Sequence, residues 1–449
     1  MNAKLYSARY VVPISAPAIS DGVVAVDAGR ITYVGDRESA PTGELVELGE
    51  CALVPGLVNS HTHLELTAFR GLLDGLGFRD WIVTLQAAKS AVMNEARFLD
   101  AAHLGIEEGL LAGVTTYADS CDSGVALRAM RDAGVRGVMY QELFGPDPAY
   151  AEASLADLRA KIERHRAAES ELVRAGVSPH APYTVSDELF AQTTAYARRE
   201  SLPMAIHLAE SEAELALVER GEGPFADALR ARGIDVRVRG RSPVALLERL
   251  GVLDASPLLI HCVRTTADDH ARIAAHRCGV AHCPASNAKL GHGVAPLVEM
   301  LAAGIDVGLG SDSVASNDRM NILDEARLAI LSQRARLMSA TALPANAALE
   351  LATLGGARAL RMGGRIGSLE PGKCADLAAF PLEAPRTTPH HDPIAALVWS
   401  SGGSRATMVM VAGRELVRDG RLVHHDPSRA TRVSETAAEL RAWLAHRMK

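Results

Sequence analysis

The chain has 449 residues, of which 48% are hydrophobic and 22% are charged, and its formal net charge is −7. This length is ample for a large buried core, and it favours either more than one domain or one barrel with an appendage. The acidic balance, with no long block of Lys and Arg, argues against nucleic acid or an anionic membrane as the main partner. We therefore expect a small-molecule substrate, with a homodimer left open as an assembly.

The N-terminus does not have a charged segment followed by a long apolar one, so we expect no signal peptide. No apolar run approaches the ~18 residues of a membrane-spanning helix. The six cysteines contain no CxxC pair and are scattered along the chain, at Cys51, Cys121, Cys262, Cys278, Cys283 and Cys374. In a chain of this length they predict reduced thiols rather than a disulfide framework, and the cytoplasm is the expected compartment.

Both ends of the chain have the pattern of short strands and turns. The segment Gly22–Gly35 alternates in part and breaks at glycines, as a small sheet does, and three later segments have the same pattern: Asp376–Phe380, Ala406–Val411 and Gly413–Val417. We expect residues 1–54 and 365–449 to join into one small β-domain, a β-sandwich. The second part ends in an amphipathic helix, where Thr436 and Glu439 fit a capping box.

Residues 55–364 contain eight short apolar runs that alternate with helix-like stretches such as Phe98–Ala112 and Ser186–Glu200. The runs end near His61/His63, Asp119, Gln141/Glu142, His180, His207, His261, His282 and Asp312. Eight alternations predict a (β/α)8 TIM barrel, an α/β fold whose active site lies at the carboxyl ends of the strands. A doubly wound open sheet is the alternative, but it would not bring the first and eighth strands together.

A longer insertion, residues 214–248, separates the fifth and sixth predicted strands. It contains Gly221–Pro224 and the basic run Arg237–Arg241. The pattern leaves open two interpretations, a loop that covers the substrate and a solvated surface excursion.

Histidines and one aspartate at the strand ends form a candidate metal site. In His61-Thr62-His63, alternate residues of a strand point the same way, so both rings can face one ion. His207 is the third candidate ligand and Asp312 the fourth. The alternative for His207 is a buried histidine bonded to backbone, and the alternative for Asp312 is a turn or a helix cap. Three histidines and one carboxylate with an open position for water suit one divalent metal, zinc in preference to ferrous iron.

Two further residues are candidates for catalysis. Glu210 lies three residues beyond His207 and can move a proton between water and a ring nitrogen, unless it is an ordinary solvated glutamate. His261 is a candidate electrostatic partner that orients the attacking water, or else a fifth ligand or a supporting residue.

These segments together resemble the amidohydrolase superfamily, in the branch of nucleoside, S-adenosylhomocysteine and aminodeoxyfutalosine deaminases and triazine hydrolases. The matching strings are Pro55–His63, His207–Glu210, His261–Val263, Pro284–Gly291, Gly310–Ser313 and Ile366–Leu377. The resemblance implies His61, His63, His207 and Asp312 as metal ligands, Glu210 as proton shuttle, and His261 and Asp312 as catalytic partners. Dinuclear members use a carboxylated lysine, and no lysine stands at a mid-barrel strand end, which favours one metal.

Details of the sequence narrow the substrate. Glu65 and the string Ser316-Asn317-Asp318 resemble aminodeoxyfutalosine deaminases, and His180 resembles a substrate-contacting histidine of nucleoside deaminases. Trp81 stands where such enzymes cover a purine, although core packing is an equal alternative. The glutamate that S-adenosylhomocysteine deaminases usually carry after that tryptophan is missing from Leu85–Ser90. We therefore expect Glu65, Trp81 and His180 to contact substrate.

The sequence predicts a metal-dependent hydrolytic deaminase of a 6-aminopurine nucleoside derivative. Aminodeoxyfutalosine is favoured, which would place the enzyme in menaquinone biosynthesis by the futalosine route. The alternatives are an S-adenosylhomocysteine or methylthioadenosine deaminase, a triazine-type chlorohydrolase, a cyclic amidohydrolase, and a barrel retained for binding alone.

Overall fold

The structure is a computed structural model and describes residues 3–447. A parallel β-barrel forms its centre, and a mixed β-sheet is built from the two ends of the chain. In chain order the strands are β1 (Lys4–Val11), β2 (Ile19–Asp27), β3 (Arg30–Asp36), β4 (Glu44–Glu47), β5 (Cys51–Pro55), β6 (Leu57–Thr62), β7 (Val114–Cys121), β8 (Arg136–Leu143), β9 (Val173–Pro179), β10 (Ala205–Leu208), β11 (Leu258–His261), β12 (Gly279–His282), β13 (Val307–Leu309), β14 (Leu377–Pro381), β15 (Met408–Val411), β16 (Arg414–Arg418) and β17 (Arg421–Leu422).

Helices follow the barrel strands and cover their outer faces. In chain order they are α1 (Phe78–Val92), α2 (Glu95–Leu111), α3 (Val125–Ala133), α4 (Ala151–Arg166), α5 (Asp187–Glu200), α6 (Glu212–Leu215), α7 (Pro224–Arg230), α8 (Pro243–Arg249), α9 (Ala267–Ala275), α10 (Pro284–Lys289), α11 (Leu297–Ala302), α12 (Val314–Asn317), α13 (Ile322–Leu337), α14 (Ala345–Glu350), α15 (Gly356–Ala359), α16 (Pro393–Ala395) and α17 (Arg429–Arg447). Every residue of β7 and β8 is buried, as expected for strands covered by helices outside and packed side chains inside.

The barrel closes through two seams. Strands β6–β9 and β10–β13 each form a parallel four-stranded sheet, and bridges from Val177 to Met204 and from Thr62 to Asp312 join the two sheets. A Cβ atom on Gly310 would lie 2.9 Å from the main-chain nitrogen and oxygen of His61, so only glycine permits the second seam to close so tightly. The predicted (β/α)8 barrel is therefore confirmed, and the open doubly wound sheet is excluded.

The small β-domain is a single hydrogen-bonded sheet of nine strands, with the order β17-β16-β15-β14-β5-β1-β2-β3 and with β4 paired to β1. Strand β5 from the beginning of the chain pairs antiparallel with β14 from its later part. This pair joins the two chain ends into one β-domain, as the sequence predicts.

The C-terminal helix α17 begins earlier than the sequence suggests. Thr436 lies inside the helix, where its hydroxyl donates to the carbonyl oxygen of Arg432 at 3.1 Å, so the predicted capping box is wrong. Inside a helix a threonine hydroxyl bonds back to the preceding turn, which the sequence pattern alone does not distinguish from a cap. The helix is attached to α2 through ion pairs, among them Arg432 with Asp100 at 2.5 Å.

Among residues 3–447, no helix is long and apolar enough to cross a membrane. All six cysteines are buried and none is paired in a disulfide, as expected for reduced thiols.

Candidate active site

The four predicted metal ligands converge at the carboxyl end of the barrel. The ring of His61 lies 4.8 Å from that of His63 and 4.9 Å from that of His207, centroid to centroid. The carboxylate oxygen Oδ1 of Asp312 lies 3.3 Å from Nε2 of His61 and 3.6 Å from Nε2 of His63. The ends of β6 and β10 and the segment after β13 thus bring the four side chains together at one end of the barrel.

Neighbouring groups orient two of these ligands. Nδ1 of His207 faces the carbonyl oxygen of His180 at 3.3 Å, so Nδ1 carries the proton and Nε2 keeps its lone pair. Asp312 has a φ of 56°, an uncommon conformation for a non-glycine residue. Its Oδ2 accepts hydrogen bonds from the hydroxyls of Ser286 at 2.5 Å and Ser316 at 3.1 Å, which leaves Oδ1 to face the histidines. Ser313, rather than Asp312, caps α12, so the helix-cap alternative does not hold.

The donor set fits a divalent metal ion. Burial lowers the pKa of the imidazoles, that of His63 to about 3, so the rings are neutral and their lone pairs are available. Nε2 of His61 is buried and has no hydrogen-bond partner among residues 3–447. Donor atoms of His61, His63 and Asp312 lie within 4.8 Å of one another, and three imidazole nitrogens with one carboxylate oxygen are a donor set that zinc binds in catalytic sites.

Glu210 stands beside this cluster between two histidines. Its Oε1 lies 3.6 Å from Nε2 of His261 and 3.2 Å from Nε2 of His292, and all three side chains are buried. Burial raises the pKa of Glu210, but the two histidines outweigh that effect, so its pKa lies below the ordinary value. The carboxylate is therefore ionised near neutral pH and ready to accept a proton.

A hydrogen bond to Asn287 fixes the orientation of the His261 ring. Its Nδ1 lies 2.9 Å from Oδ1 of Asn287, an amide oxygen that can only accept, so Nδ1 carries a proton and Nε2 points into the site. The residue has a φ of 72°, which places strain at the end of β11. Strained backbone of this kind is typical of functional sites.

A buried carboxyl organises the turn that carries Glu210. Glu214 accepts hydrogen bonds from the main-chain nitrogens of Ala209 at 2.8 Å and Glu210 at 2.9 Å. Ala209 has a φ of 51°, so the chain turns sharply between His207 and Glu210. This turn brings a ligand and a proton-carrying group, three residues apart, to the same site.

A cavity of about 530 Å³ opens above the cluster. His63, His207, Glu210, His261 and Asp312 form its floor. Trp81 and His180, two of the three predicted substrate contacts, stand in its walls. The rest of the wall is largely apolar, which is typical of small-molecule sites. The insertion 214–248 also reaches it: Arg232 lines the cavity, and the ring of Phe225 stacks on that of Tyr183 at 4.2 Å.

Glu65, the third predicted substrate contact, does not line this cavity. It lies in the 3₁₀ helix Leu64–Phe69 and is 1% exposed. Its Oε1 accepts from the ammonium of Lys89 at 3.1 Å, and its Oε2 accepts from the main-chain nitrogen of Ser123 at 3.1 Å. The carboxylate is thus saturated by the protein, and the side chain that enters the cavity wall is Lys89.

A model of the amidohydrolase family matches residues 52–416. A 5-methylthioadenosine/S-adenosylhomocysteine deaminase of Moorella thermoacetica is 35% identical over 416 residues, covering 91% of this chain and 93% of the relative. This chain belongs to the amidohydrolase family. The family and the deaminase names of its relatives identify it as a hydrolytic deaminase.

Solved structures agree with this assignment. The crystal structure of an adenosine deaminase from Xanthomonas campestris with bound zinc has a TM-score of 0.86 and 30% identity, covering 98% of each chain. Helicobacter pylori aminofutalosine deaminase in complex with methylthio-coformycin has a TM-score of 0.80 over 92% of this chain and all of that one. At 21% identity the latter likeness shows the fold alone.

Sequence reasoning missed several residues of this amidohydrolase site. Lys89 lines the cavity and His292 approaches Glu210, but neither of them ends a predicted strand. Glu214 is one of several acidic residues after His207, and nothing in the sequence distinguishes it from the others. Ser286 and Asn287 lie within the matched string Pro284–Gly291, so that string is the signal that could have found them.

Proposed function

We propose that this amidohydrolase is a metal-dependent deaminase of a 5′-substituted adenosine derivative. The observation that carries the proposal is the meeting of four metal-binding side chains with the Glu210–His261 pair on the floor of one cavity. Such a set provides a metal site, a proton carrier and an orienting group at one point, as hydrolytic deamination of a purine requires.

His61, His63, His207 and Asp312 would hold the ion, and zinc suits them best. When bound, zinc supplies a Lewis acid that lowers the pKa of water toward about 7. The donor set does not by itself distinguish zinc from ferrous iron, so metal analysis of the purified protein has to accompany any assay.

Each side chain has a separate role in the proposed reaction. The oxygen of water adds to C6 of the base while Glu210 accepts a proton from that water and donates it to N1. His261 and Asp312 hold the water in position. The added hydroxyl gives up its proton to the amino group, the C6–N bond breaks, and ammonia leaves behind a 6-oxopurine. Trp81 can cover the purine ring and His180 can donate to or accept from its edge.

Two substrate candidates remain for the 5′ substituent. The string Ser316-Asn317-Asp318 favours aminodeoxyfutalosine, whereas 35% identity to a methylthioadenosine/S-adenosylhomocysteine deaminase favours those thioethers. We propose aminodeoxyfutalosine as the better substrate, because the chain lacks the glutamate expected after Trp81 in S-adenosylhomocysteine deaminases.

An ammonia-release assay on the metal-loaded enzyme tests both parts of the proposal, the deaminase activity and the preferred substrate. The substrates are aminodeoxyfutalosine, S-adenosylhomocysteine, methylthioadenosine and adenosine, with guanine, cytosine and a chlorotriazine as controls. We expect ammonia from the adenosine derivatives and the highest kcat/KM with aminodeoxyfutalosine. A higher kcat/KM with S-adenosylhomocysteine than with aminodeoxyfutalosine rejects the preferred substrate but leaves the deaminase proposal intact. Chloride release or ring opening without ammonia from any purine nucleoside rejects the adenosine proposal.

A further inference from the structure

The insertion 214–248 has no role in the reaction above, yet the structure fixes part of it firmly to the barrel. The guanidinium of Arg239 pairs at 2.6 Å with the carboxylate of Asp187, at the start of α5, and the Arg239 side chain is only 13% exposed. The main-chain nitrogen of Arg239 donates to the carbonyl oxygen of Val218 at 2.8 Å, which joins the two arms of the insertion. The insertion therefore has a fixed place beside the cavity, and side chains on its inner face can act on the site.

A row of aromatic rings connects the insertion with His292. Phe225 lies in the first turn of α7 and is 9% exposed. Its ring stacks on that of Tyr183, and it meets the ring of Phe78, at the start of α1, edge to face with the centroids 6.1 Å apart. Phe78 in turn meets the ring of His292 edge to face at 4.4 Å. Rings at these separations and angles attract one another, so each ring helps to hold the next in place.

Packing, and not a hydrogen bond, determines where the His292 ring lies. His292 follows α10 by three positions, in a segment without helix or strand. Its main-chain nitrogen donates to the carbonyl oxygen of Asn287 at 2.8 Å, which fixes the backbone but not the ring. The ring nitrogen Nε2 is buried and makes no hydrogen bond among residues 3–447. Its distance of 3.2 Å from Oε1 of Glu210 therefore depends on the packing of the ring against Phe78.

The position of this ring matters for Glu210. Nε2 of His292 and Nε2 of His261 both approach Oε1 of Glu210, at 3.2 Å and 3.6 Å. The two rings thus bracket one oxygen of the carboxylate that carries the proton in the proposed reaction. A catalytic group has to be held close to its productive geometry, and a displacement of about 1 Å caused far from the chemistry can lower the rate greatly. Movement of the His292 ring is therefore expected to change the rate of the reaction.

We propose that Phe225 is a positioning residue: through Phe78 it holds the His292 ring against Glu210, so that the insertion 214–248 supports proton transfer. The inference rests on the proposed function, in which Glu210 carries the proton. Phe225 and His292 lie outside the lining of the substrate cavity, whereas Phe78 belongs to it. Replacement of Phe225 therefore removes no direct contact with the substrate.

The kinetic test is a double-variant cycle. We measure kcat, KM and zinc content of the zinc-loaded wild type, Phe225→Leu, His292→Leu and the double variant with the best adenosine derivative. Phe225→Leu keeps an apolar side chain but removes the ring, and we expect kcat to fall by about 3- to 10-fold, the range that one aromatic contact is worth, while KM stays within about 2-fold. In the His292→Leu background the same change should lower kcat by less than about 2-fold, because the ring that Phe225 positions is gone.

Two further variants serve as controls. Phe380→Leu makes the same change at a buried phenylalanine of β14 in the small β-domain, and it should leave kcat and KM unchanged. Phe225→Tyr keeps the ring and should keep kcat within about 2-fold of the wild type. A raised KM with unchanged kcat in Phe225→Leu shows that the insertion serves substrate binding alone, and it overturns the proposal. Losses that multiply in the double variant show that Phe225 acts independently of His292 and also overturn it, as does loss of zinc from Phe225→Leu.

A measurement without turnover separates this inference from the deaminase proposal. Diethyl pyrocarbonate acylates accessible, unprotonated histidine rings, and His292 is 4% exposed. No other histidine lies between Lys289 and Arg319, so the mass of one tryptic peptide reports on His292. We expect its labelling rate to rise by at least about 3-fold in Phe225→Leu and to stay unchanged in Phe380→Leu.

The labelling results decide the proposal whether or not the protein is a deaminase. An unchanged labelling rate of His292 in Phe225→Leu overturns the proposal, because the ring then keeps its place without Phe225. Faster labelling, without ammonia release by the wild type from any adenosine derivative, supports the positioning of His292 by Phe225 and rejects the deaminase proposal.

Discussion

Replacement of Glu65 by Gln removes one half of an ion pair that the protein buries almost completely. The side chains of Glu65 and Lys89 are 1% and 9% exposed. Breaking a buried pair by removing one partner costs about 3–5 kcal/mol, because the other charge stays buried without compensation. Asp122 remains 3.4 Å from the ammonium and its side chain is 38% exposed, so it compensates in part and the lower end of that range applies.

The expected change in melting temperature follows from the size of the chain. At about 2.1 cal/mol/K of unfolding entropy per residue, this chain loses about 1 °C for each kcal/mol, so Glu65→Gln should lower Tm by about 3 °C. The assay is thermal unfolding followed by circular dichroism at matched zinc content. The double variant Glu65→Gln/Lys89→Met, which removes both charges, should be more stable than the sum of the single changes predicts, by more than about 1 kcal/mol. A Tm within about 1 °C of the wild type for both single variants refutes this reasoning.

Three further predictions follow from the same contacts. The pKa of Glu65 is lowered in the folded protein, so its carboxylate stabilises the fold at pH values above the ordinary pKa of 4.5, and this stabilisation is lost as the pH falls through the folded pKa. The Tm difference between the wild type and Glu65→Gln should therefore shrink in acid. A Tm difference that stays constant with pH contradicts this. His292→Leu removes the ring that approaches Glu210 and should lower kcat by about 10-fold with little change in KM. His292→Gln, whose amide can still donate a hydrogen bond, should keep kcat within about 3-fold of the wild type. Equal losses of kcat in both variants would show that His292 acts through packing against Phe78 instead. Chelation abolishes ammonia release and one equivalent of zinc restores it; activity that survives complete metal removal contradicts the metal site.

The barrel and its ligand positions were predictable because they depend on local sequence. Each apolar run that ends in a histidine or aspartate marks a buried strand, and parallel strands in a closed barrel have their carboxyl ends at one rim. That rule places His61, His63, His207 and Asp312 at one rim, and the H-x-H spacing and the family resemblance distinguish these four from the other strand ends. The spacing from His207 to Glu210 was equally informative, since a turn after a strand keeps the next few side chains at the same rim.

The walls of the cavity were less predictable because they depend on contacts between distant segments. Glu65 lies two residues from His63, yet the 3₁₀ helix that begins at Leu64 turns its carboxylate toward Lys89 and away from the cavity. His292 approaches Glu210 from a loop 82 positions later in the chain, and no pattern in the sequence predicts that these two side chains lie close together. Thr436 shows the same limit locally, because a capping motif and a helix interior share one sequence pattern.

The central claim is that Glu210 carries the proton at a metal site built from the four ligands. Glu210→Gln keeps the size and shape of the side chain but cannot titrate. Single-turnover ammonia release and zinc content, measured on one preparation of this variant with the best adenosine derivative, test the claim most directly. We predict one equivalent of zinc, as in the wild type, and a rate lower by about 100-fold or more, the scale of general acid–base catalysis. Near-normal turnover in the zinc-loaded variant would contradict the account.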